Sequence, residues 1–188
     1  MRILFGNGDV ASEERNVPAF KSISLRGLGS LRVRRGDQRI AISCDSNALP
    51  RVATVVSGGT LAIGLERLTW AFRMTRLDIE VALPELDGLS VSGSASAEVD
   101  AFSGEGIRLS IAGSASIGAT LDYSHATLVM SGSGAFSGAV AAAGFELRSS
   151  GSSTAKLVGS AEHSALRLSG SSSVSAKDFA AAEADVEM

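Results

Sequence analysis

A triplet of Ser or Ala, then Gly, then Ser recurs five times in the second half of the chain. It stands at Ser92-Gly93-Ser94, Ala112-Gly113-Ser114, Ser131-Gly132-Ser133, Ser150-Gly151-Ser152 and Ser169-Gly170-Ser171, with glycine spacings of 20, 19, 19 and 19. Four residues before each glycine is a leucine: Leu89, Leu109, Leu128, Leu147 and Leu166. Two before it stand Val91, Ile111, Met130, Ser149 and Leu168, and four after it Ala97, Ile117, Phe136, Ala155 and Val174. Offsets of −4, −2 and +4 share one parity, which is the period-2 signature of β-strands. Residues 85–188 hold 23 Ser, 13 Gly and 20 Ala, the composition of a flexible linker. A linker has no reason to keep an apolar register, so the repeat outweighs the composition.

A period near 19 without a helical pattern in each repeat predicts an all-β parallel β-helix. In such a solenoid each coil makes short strands that pair with their equivalents in the next coil, ~4.8 Å away. Equivalent positions then stack in columns. A glycine column fits a tight corner, and a narrow interior favours Leu, Ile, Val and Ala over large rings. This explains the 5% aromatic content, with Phe102, Phe136, Phe145 and Phe179 as occasional fillers.

The first half carries a looser version of the pattern. Ile23, Leu25, Gly27 and Leu31 reproduce it, while Ile40–Cys44 and Leu61–Leu65 repeat the strand without the glycine. Leu77–Val81 precedes Leu89 by only 12 residues, so it is expected on another face of the same coil, with Pro84 at the corner. The expected organisation is one β-helix domain over 1–188. Residues 1–22 form an N-terminal cap over unpaired backbone groups. Residues 23–84 form irregular coils with loops near Asp45–Pro50 and Glu66–Arg76, and 85–188 form the regular coils. The next glycine is due at 189, so the chain is expected either to continue past Met188 or to have this end paired by another chain.

The order of several segments resembles a known family. These are Gly6-Asn7-Gly8, Glu14–Val17, Phe20–Ile23, Gly58–Ile63, Pro84-x-Leu86 and the serial Ser-Gly-Ser coils. Together, from about Gly6 to Met188, they look like the putative auto-transporter adhesin head GIN domain, a bacterial domain of unknown function. The resemblance implies a single-stranded right-handed solenoid and an exported, cell-envelope location (periplasm, outer membrane or cell surface). It supplies no catalytic residues. No signal peptide is visible in Met1–Asn16, so the export signal would lie outside this sequence; a cytoplasmic location is the alternative.

The remaining chemistry is sparse. The formal net charge is −3, with residues 1–84 at +4 and 85–188 at −7, so no nucleic-acid partner is expected. No apolar run approaches ~18 residues, so no transmembrane helix is expected. Neither a G-x-S-x-G nor a phosphate-loop motif is present, and no cofactor is expected. His125 and His163 follow Gly113 and Gly151 by 12 residues, so their backbones are expected two rungs apart, ~10 Å at ~4.8 Å per rung. That separation argues for exposed turn residues rather than a metal site. Cys44, the single cysteine, aligns with Gly27 and reads as a buried inert thiol.

Two functional classes follow. The first is a non-catalytic surface or envelope β-helix, adhesin-like or structural, with a glycan or surface protein as candidate ligand and self-association through coil edges forming a homo-oligomer. The second is a carbohydrate-active enzyme, a polysaccharide lyase or hydrolase using Glu98, Asp100 and Asp122; arginines 108, 148 and 167 read instead as a solvated face. The candidate interaction surface is Arg67, Trp70, Phe72, Arg73 and Arg76, because aromatics interleaved with arginine compose binding hot spots. The alternative, preferred on composition, is that Trp70 and Phe72 cover the helix side while the arginines snorkel.

Overall fold

The computed structural model describes residues 2–65, 70–73 and 76–187, with the backbone alone at 2–4 and 70–73. Its strands are β1 (Arg2–Phe5), β2 (Val10–Glu14), β3 (Ser22–Arg35), β4 (Arg39–Asp45), β5 (Val52–Ser57), β6 (Thr60–Leu65), β7 (Trp70–Arg73), β8 (Leu77–Leu83), β9 (Gly88–Gly113), β10 (Ser116–Gly132), β11 (Ala135–Gly151), β12 (Thr154–Gly170) and β13 (Ser173–Glu187). One short 3-10 turn, Leu49–Arg51, interrupts them. The chain is a β-solenoid. β9 makes more than one coil and β10 to β13 each make a nearly complete one, every coil pairing in parallel with the next.

The period-2 pattern sets which side chains point inward. In β10, Ile117, Ala119, Leu121 and Tyr123 are buried while Thr120 and Asp122 are exposed. At Ser124-His125 two successive residues are exposed, the phase shifts by one, and Ala126, Leu128 and Met130 become the inward set. That slip is a corner: the strand turns to keep its apolar residues on the axis. The −4, −2 and +4 positions predicted to face inward do so in every central coil. Where the −2 residue is Ser149, the hydroxyl stays buried and bonds to the hydroxyl of Ser172 at 3.0 Å.

The glycine column forms a second corner. Gly27, Gly93, Gly113, Gly132 and Gly151 are paired rung to rung, and Gly151 with Gly170. All six have positive φ, between 76° and 109°. From Gly113 onward the serine after each glycine donates its backbone N–H to the glycine carbonyl of the preceding coil, as in Ser133 to Gly113 at 2.8 Å and Ser152 to Gly132 at 2.8 Å. The ladder therefore runs unbroken through the bend. It also places a carbonyl oxygen where a side chain would start: a Cβ on Gly132 would lie 2.8 Å from Gly113 O, and one on Gly151 2.6 Å from Gly132 O.

The first half departs from simple coils. Gly27 pairs directly with Gly93, so β3 is the rung beneath β9 although 66 positions separate the two glycines. The rung beneath β3 is built from two pieces: β6 pairs with Ser22–Arg26, and β8 with Ser30–Arg35. Leu77–Val81 thus lies on a different face from Leu89, as expected, but two rungs away, with β3 between them. The segments around Ile40 and Val52 are not coils. β4 runs antiparallel to β8 and β2, and β5 antiparallel to β6. The short connections after β3, at Gly36-Asp37-Gln38, and after β5, at Gly58-Gly59, reverse the chain at once; a parallel partner needs a longer crossover. Cys44 accordingly pairs with Leu77 and Ala11, outside the glycine column. It is buried, and burial pushes its thiol pKa up.

The N-terminal end is closed around a buried carboxylate. Asp45 is fully buried and its Oδ1 accepts the Gly8 N–H at 2.8 Å, while a Cβ on Gly6 would collide with that same carboxylate. A buried acceptor stripped of its partners costs about 1–3 kcal/mol. Gly6→Ala, which forces the Asp45 carboxylate to move, is expected to lower the unfolding free energy measured by urea denaturation by about that amount, seen as a lower midpoint. A midpoint equal to that of the parent would show that the Gly6–Asp45 contact carries no stability.

Tyr123 joins the solenoid to the 84–87 connection. Its ring lies against Gly104 one coil below, and its hydroxyl donates to the Leu86 carbonyl at 2.6 Å. Burial, with the nearby Asp87 charge, pushes its pKa up to about 12. The folded state thus favours the neutral phenol. This contribution is complete below the unfolded value of about 10 and is lost as pH rises from there toward 12. A 295 nm titration is expected to show phenolate forming near pH 12, together with alkaline unfolding. Tyr123→Phe is expected to lose about 1 kcal/mol at neutral pH.

Candidate functional site

The residues singled out for interaction divide by position. Arg67 lies outside the described residues. Trp70, Phe72 and Arg73 belong to β7, whose backbone pairs in parallel with β1, Trp70 opposite Arg2 and Phe72 opposite Leu4. Arg76 is exposed and forms an ion pair with Asp78. Asp78 also accepts a hydrogen bond from Ser30 at 2.6 Å. Burial opposes its charge, but the Ser30 hydroxyl and the Arg76 guanidinium together hold its carboxyl below the usual range. These side chains line a shallow groove with Arg32, Glu80 and Glu98. There, Arg32 stacks between Glu80 on one rung and Glu98 on the other.

The carboxylates weighed for catalysis are not gathered. Glu98 lies over Gly118, where a Cβ would strike its carboxylate. Asp100 sits where the register slips between β9 and β10, and Asp122 stands opposite Ser103 and Ala141 in another column. Arg148 and Arg167 are in register, whereas Arg108 aligns with Thr127 one column away. Arg148 and Arg167 both reach Glu146, at 2.7 and 3.4 Å, and Arg167 also reaches Glu187 at 3.1 Å. Exposed pairs like these contribute little stability. Among the described residues, no three His, Cys, Asp or Glu side chains converge on one metal position.

Two concave sites stand out. One lies beside the Gly58-Gly59 turn and is lined by Phe20, Lys21, Asp37, Gln38, Pro84 and Glu85. Lys21 and Glu85 close its rim with a 2.5 Å ion pair, which raises the lysine pKa and lowers that of the glutamate. The other is a groove of about 530 Å³ across β10 to β13, lined by His125, Gly144, Glu146, His163, Glu183 and Asp185 among others. His125, Gly144, His163 and Glu183 occupy successive rungs of one column. His163 Nδ1 lies 3.0 Å from Glu183 Oε2. The sequence reading placed the two histidines in register but missed Glu183, although its 20-residue spacing from His163 was visible.

The outer face formed by the strand segments before the glycine corner carries serines interspersed with arginines, and its later rungs hold a shallow concavity of about 260 Å³ lined by Val129, Ser131, Arg148, Ser150, Arg167 and Ser169. One column runs Ser24, Ser90, Ser110, Val129, Arg148, Arg167; its neighbour runs Arg26, Ser92, Ala112, Ser131, Ser150, Ser169. Hydroxyls of the second column turn back to the ladder, Ser169 to the Ser149 carbonyl at 3.3 Å. Among the described residues, no helix is long and apolar enough to cross a membrane.

Solved structures share this architecture. A putative lipid binding protein from Parabacteroides distasonis superposes with a TM-score of 0.92 at 20% identity, over 98% of this chain and 80% of its own. A putative adhesin from the same organism gives 0.92 at 19% identity, over 97% and 79%. A putative adhesin from Parabacteroides merdae gives 0.92 at 18% identity, over 99% and 80%. At these identities the likeness establishes the fold. No curated protein matches the chain. The family model described as "Putative auto-transporter adhesin, head GIN domain" matches residues 19–188, from just ahead of β3 through every coil, so the chain belongs to the GIN-domain family.

Proposed function

We propose that this protein is a non-catalytic β-solenoid of the bacterial cell envelope that binds a glycan or a surface protein through its outer faces. The observation that carries this reading is the repetition of Ser and Arg columns along the outer face, rung after rung. Such a regularly spaced face suits an extended partner laid across several rungs. The family's description and the adhesin names of the solved relatives support the same reading. The 66–76 segment, with Arg67, Trp70, Phe72, Arg73 and Arg76, is the proposed anchor. Self-association through coil edges is proposed as well, because an unpaired strand edge offers backbone groups to a second chain.

The test is binding of the purified protein to glycan arrays and to bacterial and host cell surfaces, alongside cell fractionation and light scattering. Saturable binding that a Trp70→Ala/Arg73→Ala variant loses is the expected result. Turnover of an acidic polysaccharide that Asp100→Ala or Asp122→Ala abolishes would replace this reading with the carbohydrate-active enzyme. A monomer mass at high concentration would remove the self-association.

A further inference from the structure

The groove across β10 to β13 has a feature that the serine and arginine columns lack. His125 and His163 share one column, and the rung between them carries Gly144. Their backbones are two rungs apart, ~10 Å at ~4.8 Å per rung, too far for a metal if both rings stood upright. The rings do not both stand upright. A Cβ placed on Gly144 would lie 3.1 Å from Cδ2 and 3.7 Å from Nε2 of His125. The His125 ring therefore leans over the Gly144 rung, toward His163, into space that any other residue at 144 would fill. His163 is held from the far side by the 3.0 Å contact of Nδ1 with Glu183 Oε2. That bond assigns the proton to Nδ1 and leaves Nε2 as the lone-pair donor.

Each of these is what a transition-metal ligand pair requires. Imidazole nitrogen suits Zn²⁺, Cu²⁺ and Ni²⁺, whereas Ca²⁺ and Mg²⁺ demand oxygen ligands. A metal-bound histidine nearly always has its second nitrogen on a carboxylate or carbonyl, which orients the ring and raises its basicity. The groove is open to solvent, and Asp185 on its wall brings negative charge to the approach. We propose that His125 and His163 bind one divalent transition-metal ion over Gly144, with Glu183 as the positioning carboxylate and water or a partner's side chain completing the coordination. Two protein donors make an open, exchangeable site rather than a closed structural one.

The test is calorimetric titration of the full chain with Zn²⁺ at pH 7.5, with Ca²⁺ as the oxygen-ligand comparison. Far-UV circular dichroism checks that each variant is folded. The expected result is one saturable Zn²⁺ site per chain and no Ca²⁺ site. His125→Ala and His163→Ala should each abolish it. Glu183→Gln should weaken it about 10- to 100-fold, the usual effect of losing a supporting carboxylate. Gly144→Val, which fills the rung while leaving both histidines in place, should also abolish it. Absence of saturable binding would overturn the proposal. So would equal affinity in either single histidine variant, or unchanged affinity in a folded Gly144→Val protein.

Discussion

Gly93→Ala is expected to destabilise the protein by about 2–5 kcal/mol, and Gly27→Ala by only about 1–2 kcal/mol. Both glycines belong to the same column and have similar positive φ, 95° and 109°. Either substitution forces an L residue into a left-handed conformation, worth about 1–2 kcal/mol. They differ in what lies beneath. A Cβ on Gly27 meets nothing within 4 Å, whereas one on Gly93 lands on the Gly27 carbonyl oxygen. That oxygen belongs to the rung below and cannot withdraw without distorting the ladder through the corner. Forced overpacking of this kind adds about 1–3 kcal/mol. Urea denaturation of the two variants separates the terms, because the Gly27 variant carries the conformational strain alone. Equal losses would show that backbone conformation, not stacking, selects glycine throughout the column.

The second large effect is in the interior. Phe136→Ala is expected to lose about 3–5 kcal/mol, the range for deleting a buried ring. Phe136 is 2% exposed in the middle of the stack, and the coils above and below fix the cavity walls. Phe179 is the same residue type in β13, the last rung. It is only partly buried and packs on Phe145 with ring centroids 5.6 Å apart. Its removal is expected to cost about 1–2 kcal/mol, from one aromatic contact and a wall that can relax. In a solenoid, stability is a sum of repeat terms and neighbour interfaces. Hydrogen exchange should therefore show Phe179→Ala loosening β13 locally, while Phe136→Ala lowers protection on both sides of its coil. Equal losses would mean that the end rung is packed as firmly as the centre.

Much of this architecture was legible in the sequence because stacking makes each position repeat its neighbour's problem. The five regular glycines share one physical situation, so spacing alone revealed the corner. Gly27 was legible for the same reason. The inserted strands were not, because β4 and β5 meet neighbours of a different kind. An antiparallel strand has its own alternation, and its period-2 pattern is indistinguishable from that of a coil strand. Cys44 was thus aligned with Gly27 although it stands opposite Leu77. Local apolar patterning carries no mark of strand direction; the turn at Gly58-Gly59 was the available sign. The His125–His163 register was readable from spacing. The lean of His125 over Gly144 was not, because a side-chain rotamer depends on the space left by the next rung.

The position of β3 bears on how the chain is made. Its upper neighbour is β9, so residues 22–33 wait for residues 88–99 before that edge can be paired. At about 5–20 residues per second of synthesis, the 66 positions between Gly27 and Gly93 take roughly 3–13 seconds to appear. During that interval an apolar strand is held with an open edge. The chain fills the interval with β4, β5, β6 and β8, which pair on the opposite edge of β3 or on one another, and with β7, which pairs with β1. Only the later coils can then be laid down one at a time on a finished template. In the finished molecule the first hundred residues form one interlocked unit, and the regular repeats, the easiest part to recognise, stack on it rung by rung.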